Sequence, residues 1–133
     1  MSHQDLEIVR SAIEAWNRRD AERWLSYAAP EIEWIAAGPA AVERPVYRGY
    51  AEAASGFESV WQTWEEFRFE ESEVRNLDGS VLWLGRVKMR GTASHVALDQ
   101  EFALHFVLRD GKFVTVRAFL AWHEALANVG LEE

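Results

Sequence analysis

The chain has 133 residues and a mass of 15.3 kDa, the size of one compact domain that buries roughly two-thirds of its unfolded surface. Its 49% hydrophobic and 13% aromatic content, with seven Trp, excludes a disordered or fibrous chain, and a net charge of −8 disfavours nucleic acid and anionic membranes as partners. The absence of Cys excludes disulfides, thiol catalysis and cysteine metal sites, and with no long apolar run and no signal-like N-terminus the expectation is a cytoplasmic protein.

No linker, repeat or low-complexity tract interrupts the chain, so one domain over 1–133 is expected. A first helix is predicted over 4–16, where Leu6, Val9, Ala12, Ile13 and Trp16 form one apolar stripe and Asp5 lies in the first turn. Asp20 caps a second helix that runs through Trp24 and Leu25 to Ala28 and is stopped by Pro30. A short strand over 31–35 and a loop over 36–45 follow. Tyr50, Ala54, Phe57, Trp61 and Trp64 then mark the stripe of a third helix, in which Gly56 costs about 1 kcal/mol relative to Ala.

From about residue 66 the period becomes two. Phe67 and Phe69 share a face while Val74 is in the opposite phase, which predicts a bulge near 70–72. Asp78-Gly79 turns the chain into a strand over 80–90, a second follows over 96–109, and Asp110-Gly111 leads to a third over 112–120 before a short helix over 124–128. Helices followed by an antiparallel meander make an α+β plan.

Several segments carry a resemblance. Ala15-Trp16-Asn17-Arg18-Arg19-Asp20 ends the first helix, and Pro30-Glu31-Ile32-Glu33-Trp34, Tyr47-Arg48-Gly49, Leu84-Gly85-Arg86-Val87 and Leu108-Arg109-Asp110-Gly111-Lys112 follow in order. The chain resembles the SnoaL-like branch of the nuclear transport factor 2-like superfamily over nearly its whole length. The resemblance implies a cone-shaped half-barrel: a curved mixed or antiparallel sheet with the N-terminal helices on its concave face, a deep apolar pocket inside, and a convex face that often forms a homodimer. It implies no one activity, because this fold hosts isomerases, cyclases, hydrolases, dehydratases and binders.

Strand parity assigns the faces independently. Val81, Trp83, Val87, Phe102, Leu104 and Phe106 should look into the cone, and Leu82, Leu84, Ala103, His105 and Val107 should look out. If Arg86 opposes Glu101 and Lys88 opposes Asp99, ion pairs flank an apolar belt on the outer face, a reasonable partner patch. For the last strand, a three-residue loop with Gly111 left-handed would turn Val114, Val116 and Ala118 inward and Arg117 outward. That is favoured over a two-residue hairpin, which would bury Arg117.

The expected ligand-binding residues are therefore Trp16 and Trp34, then Phe57, Trp61 and Trp64 of the third helix, then Trp83 and Val87. Gln100, Phe102, Leu104 and Phe106 join them from the next strand, and Val116 and Ala118 from the last. Trp34 and Trp83 are the best wall candidates. Gln100 reads equally as a hydrogen-bonding site residue and as a wetted side chain at the cone mouth.

Proton chemistry in such a cone needs a buried carboxylate whose pKa burial raises. Set against ketosteroid isomerase, the general base falls on Ala36, the oxyanion-hole acid on Leu104 and the helix tyrosine on Ala12, so all three groups are missing. The acidic residue that SnoaL-type cyclases keep near the end of the last strand is also missing from Ala118-Phe-Leu-Ala-Trp122, and no Asp-Arg-Asp set of the epoxide-hydrolase kind can be assembled. Tyr47, Gln100 and His123 remain as weak acid–base candidates. His105 reads as convex-face packing rather than a proton shuttle, Asp99 and Glu101 as outer-face ion pairs. No His pair at metal-ligand spacing exists, so neither metal nor cofactor is expected.

The leading reading is a binder of a small apolar or polycyclic metabolite. Its rivals are an isomerase or cyclase using polar pocket residues, and a structural dimerisation module whose cone is filled by its own Trp side chains.

Overall fold

Helical spacing of apolar residues marks the first half of the chain and alternation the second. The elements follow that division in the computed structural model, which describes residues 2–42 and 44–131. Helix α1 (Ser2–Asn17) and helix α2 (Ala21–Ser26) come first. They are followed by strand β1 (Ala28–Ile35), a 3-10 turn (Gly38–Ala41), strand β2 (Val46–Arg48) and helix α3 (Gly49–Thr63). Strands β3 (Trp64–Asn76), β4 (Ser80–Gly91), β5 (Ala97–Arg109) and β6 (Lys112–Phe119) precede helix α4 (Trp122–Asn128).

The six strands form one sheet in the order β2-β1-β6-β5-β4-β3. β1 runs parallel to β6 and every other pair is antiparallel, so the sheet is mixed. Helices α1, α2 and α3 pack on one face and α4 on the other, the α+β cone that the residue pattern and the resemblance imply.

Strand parity holds across the meander. Val81, Trp83, Val87, Phe102, Leu104 and Phe106 are all buried in the main core beneath the N-terminal helices. The outward set fares differently from expectation. Leu82, Leu84 and Ala103 are buried with Phe119 under Ala125 and Leu126 of α4, so the chain covers this part of its own belt rather than leaving it for a partner. Arg86 and Lys88 do oppose Glu101 and Asp99 in register, but the ion pairs run diagonally: Arg86 bonds Asp99 at 2.7 Å and Lys88 meets Glu70 at 3.5 Å. Glu101 is thereby released to accept the Trp122 amide at 2.8 Å, at the start of α4 where backbone donors lack helical partners.

Several boundaries differ from the sequence reading. Asp20 does cap α2, accepting the Arg23 amide at 3.1 Å, yet the helix ends at Ser26, and Ala28 and Pro30 belong to β1. Pro30, which has no amide to donate, sits where the β1–β6 register breaks between Ala28 and Glu33. Short strand β2 follows the expected loop over 36–45, in residues to which the sequence pattern assigns no element. Trp64 begins β3 rather than ending α3, and the buried side of α3 is Ala53, Gly56, Phe57 and Val60, so that Phe57 alone of the expected stripe is buried and Tyr50 is 43% exposed. Small residues face the sheet because the helix lies close to it: a Cβ at Gly56 would stand 2.7 Å from the Tyr47 ring and 2.8 Å from Trp34. The glycine is required by that approach and is not merely tolerated.

The bulge in β3 falls between Glu71 and Glu73, opposite Gly85. There a Cβ would meet the Glu70 carbonyl and stand 2.5 Å from the Trp83 ring, so Gly85 makes room for both the bulged backbone and the indole. At the last hairpin Arg109 pairs with Lys112, the two-residue loop rather than the expected three-residue one, with Asp110 and Gly111 both at positive φ. A register shift between Val107 and Leu108 puts Val116 and Ala118 inward and Arg117 outward, while Phe113 and not Val114 takes the inner position. The same burial was reached by a different backbone device.

His105 stands on the outer face opposite Arg117 and Leu82, half-buried, with its Nε2 buried and unbonded. Burial chiefly, and the Arg117 charge secondarily, push its pKa below the usual 6.5.

Two outcomes follow from these packings. Gly56→Ala should lower unfolding stability by about 1–2 kcal/mol in urea titrations, because overpacking outweighs the helix propensity gained. Because the folded-state pKa of His105 is depressed, the unfolded chain binds its proton more readily. Its contribution is complete above pH 6.5 and is lost as the pH falls below that value towards the lower folded pKa. His105→Phe should flatten the stability profile below pH 6.5; superimposable profiles would refute that assignment.

Candidate functional site

The cone encloses a cavity of about 40 Å³. Its helical side is made by Ile13 and Trp16 of α1, Trp24 of α2 and Val60 of α3. The sheet contributes Trp34 from β1, Phe67 and Phe69 from β3, and Phe102, Leu104 and Phe106 from β5. Val116 and Ala118 of β6 complete that wall, and Ala40 of the 3-10 turn and Ala37 just before it also approach.

Aromatic edges and faces interlock around it. The Trp16 ring lies 5.8 Å from Trp24, 6.1 Å from Trp34 and 5.4 Å from Phe69, separations at which edge-to-face contacts are favourable. The Trp16 Nε1 is already spent, donating to the Phe67 carbonyl at 3.0 Å. The lining carries no ionisable side chain, and among the described residues no polar or charged residue is fully buried.

Of the residues expected to bind a ligand, Trp16, Trp34, Phe102, Leu104, Phe106, Val116 and Ala118 line the cavity. The others do not. Phe57 stands behind the wall, 4.8 Å from Trp16 and 5.2 Å from Trp24. Trp61 lies under the Arg19 guanidinium at 4.4 Å, and Trp64 packs on Phe67 at 6.3 Å. Trp83 and Val87 are wholly enclosed by the core, Trp83 being 5.5 Å from Phe69. Their parity is inward, yet neither reaches the cavity.

The acid–base candidates are also placed away from the hollow. The Tyr47 hydroxyl donates to the Ala40 carbonyl at 2.7 Å and its ring stacks on Trp34 at 4.7 Å, so it supports two wall residues from behind. Gln100 is half-buried opposite Val87 and outside the lining. His123 is exposed on α4, across the sheet from the cone. Of the three positions compared with ketosteroid isomerase, Leu104 lines the cavity and Ala12 and Ala36 belong to the surrounding core.

Ile13, Trp24, Ala37, Ala40, Val60, Phe67 and Phe69 were not foreseen as lining. The shared phase of Phe67 and Phe69 was a usable signal; for the two alanines of the turn none existed. Among the described residues, no three His, Asp or Glu side chains are grouped to hold a metal ion, and no helix is long and apolar enough to cross a membrane.

The family model described as SnoaL-like domain matches residues 9–116. No curated protein matches the chain. Among solved structures, an NTF2-like protein of unknown function from Burkholderia pseudomallei K96243 is similar over 98% of this chain and 99% of its own, with 20% identity and a TM-score of 0.81. A candidate polyketide cyclase from Xanthomonas campestris pv. campestris is similar over 97% and 98%, with 18% identity and a TM-score of 0.80. TerC, crystallised with polyporic acid, is similar over 96% and 97%, with 18% identity and a TM-score of 0.78. At these identities the likeness speaks for the fold alone. The family match spans most of the sequence, and the protein belongs to the SnoaL-like domain family.

Proposed function

We propose that the protein binds a small, flat, apolar body inside the cone and holds it without acid–base chemistry from its own side chains. The observation that carries this reading is the lining itself: aliphatic and aromatic side chains throughout, with no carboxylate, imidazole or hydroxyl among them. General acid–base catalysis requires such a group within hydrogen-bond reach of the substrate. Apolar enclosure requires only the surface that the wall supplies. Crystallisation of the similarly folded TerC with polyporic acid supports a small-molecule role for this fold.

The volume sets a condition. At about 40 Å³ the cavity exceeds what a water molecule needs but falls short of the roughly 150 Å³ known to accept benzene. A ring system therefore enters only if side chains yield, and the wall nearest to solvent is the segment after β1 carrying Ala37 and Ala40, both partly exposed. The same volume favours a second reading, a cone packed by its own indoles that serves the fold alone.

Naphthalene separates the two. A container shows saturable quenching of Trp fluorescence by this probe. Leu104→Ala, which deletes a wall side chain, should bind it more tightly while losing about 2–5 kcal/mol of stability. Quenching that saturates in neither protein would establish the filled cone.

A further inference from the structure

The outer edge of β3 is covered along only part of its length. Before the bulge its outward backbone groups are taken by α1: the Trp16 indole donates to the Phe67 carbonyl, and the Asn17 side chain bonds the Phe69 amide and carbonyl both. The extra residue between Glu71 and Glu73 inverts the phase. Beyond it the turn fixes which residues bond to β4, because the Leu77 amide donates to the Ser80 carbonyl at 2.8 Å. Antiparallel pairs alternate, so Arg75 with Leu82 and Glu73 with Leu84 exchange hydrogen bonds across to β4. Val74 between them turns its amide and carbonyl away from the sheet. β3 is the last strand on that side, and neither group has a partner among the described residues.

Charges ordinarily guard such an edge against pairing. Their order here is selective. The segment reads Glu73-Val74-Arg75, and its two charges lie on one face of the sheet, 2.5 Å apart within the chain. A two-fold axis passing between the Val74 residues of two copies would set Glu73 of each opposite the partner's Arg75. Those are the non-hydrogen-bonded pairs, in which side chains come closest. The two valines would meanwhile exchange both of their outward hydrogen bonds. A slip of two residues in either direction sets Glu73 against Glu73 or Arg75 against Arg75, so one register attracts and its neighbours repel.

We propose that residues 72–76 of β3 are a self-association edge, where two copies of this chain join their sheets in that one antiparallel register. The pairing is short. It is bounded on one side by the Arg10–Glu71 contact of α1 and on the other by the turn after Asn76.

Sedimentation equilibrium of the wild-type chain and three variants tests the inference. The wild type should show a monomer–dimer equilibrium. Val74→Pro removes the outward amide at an edge position where proline is tolerated, and it should be monomeric with an unchanged circular dichroism spectrum. Glu73→Arg and Arg75→Glu each set like charges opposite one another and should each weaken the dimer about tenfold. An equimolar mixture of these two should regain the wild-type affinity, since each carries the charges that the other needs. The ion pair within a single chain cannot produce that recovery. A wild type that stays monomeric at every concentration, a dimer that survives in folded Val74→Pro, or a mixture no tighter than its components overturns the proposal. Should Val74→Pro fail to fold, the mixture decides alone.

Discussion

The fastening of α1 along the open edge of the sheet is the constraint on which the remainder depends. β3 is an edge strand of thirteen residues, and an uncovered edge leaves backbone donors and acceptors without partners. Three residues of one helix engage it. Arg10 pairs with Glu71, the Trp16 indole donates to the Phe67 carbonyl, and the Asn17 amide bonds the Phe69 backbone in both directions. These contacts stand in for a seventh strand. They also draw the Trp16 ring against Phe67 and Phe69, at 5.5 and 5.4 Å, and so set the aromatic wall of the cone.

Given that wall, the chemistry of the interior follows from what each element can bring to it. β5 and β6 alternate strictly near the hollow, so their inward positions are Phe102, Leu104 and Phe106, then Val116 and Ala118, and every charge they carry is turned to the other face. Arg117, Asp99 and Glu101 find partners or solvent there without entering low-dielectric space. The family fold serves many reactions elsewhere, and it is the side chains of the site rather than the fold that decide the chemistry. Here those side chains are aliphatic or aromatic, with the indole N–H of tryptophan as their only polar group, which suits enclosure and not proton transfer.

Much of this was legible in the residues. Alternation from residue 80 onward placed Trp83, Phe102, Leu104 and Phe106 in the core, because a one-residue slip would have turned every apolar group to water, and the two charge pairings considered for β4 and β5, Arg86 with Glu101 and Lys88 with Asp99, are those of the register. The bulge showed itself as a change of phase between Phe69 and Val74. What pattern could not reveal was depth. Parity states the side of a sheet but not which inward side chain reaches the hollow, and Trp83, packed on Phe69, and Val87 are buried outside its lining. Close approach was equally hidden: Gly56 looked like a propensity cost, whereas the Tyr47 and Trp34 rings leave no space for a Cβ. The covering of Leu82 and Leu84 by α4 was missed because seven residues at the end of a chain carry too short a period to show where they dock.

The state of the hollow under xenon pressure is the most direct measurement of the central claim. A dry, carbon-lined cavity takes up the gas and excludes water, so a pressurised crystal should show a xenon atom bounded by Trp34, Leu104 and Phe106 and no ordered water beside it. Hydrogen-bonded water at that position, or a site that stays empty of xenon, would contradict an apolar container.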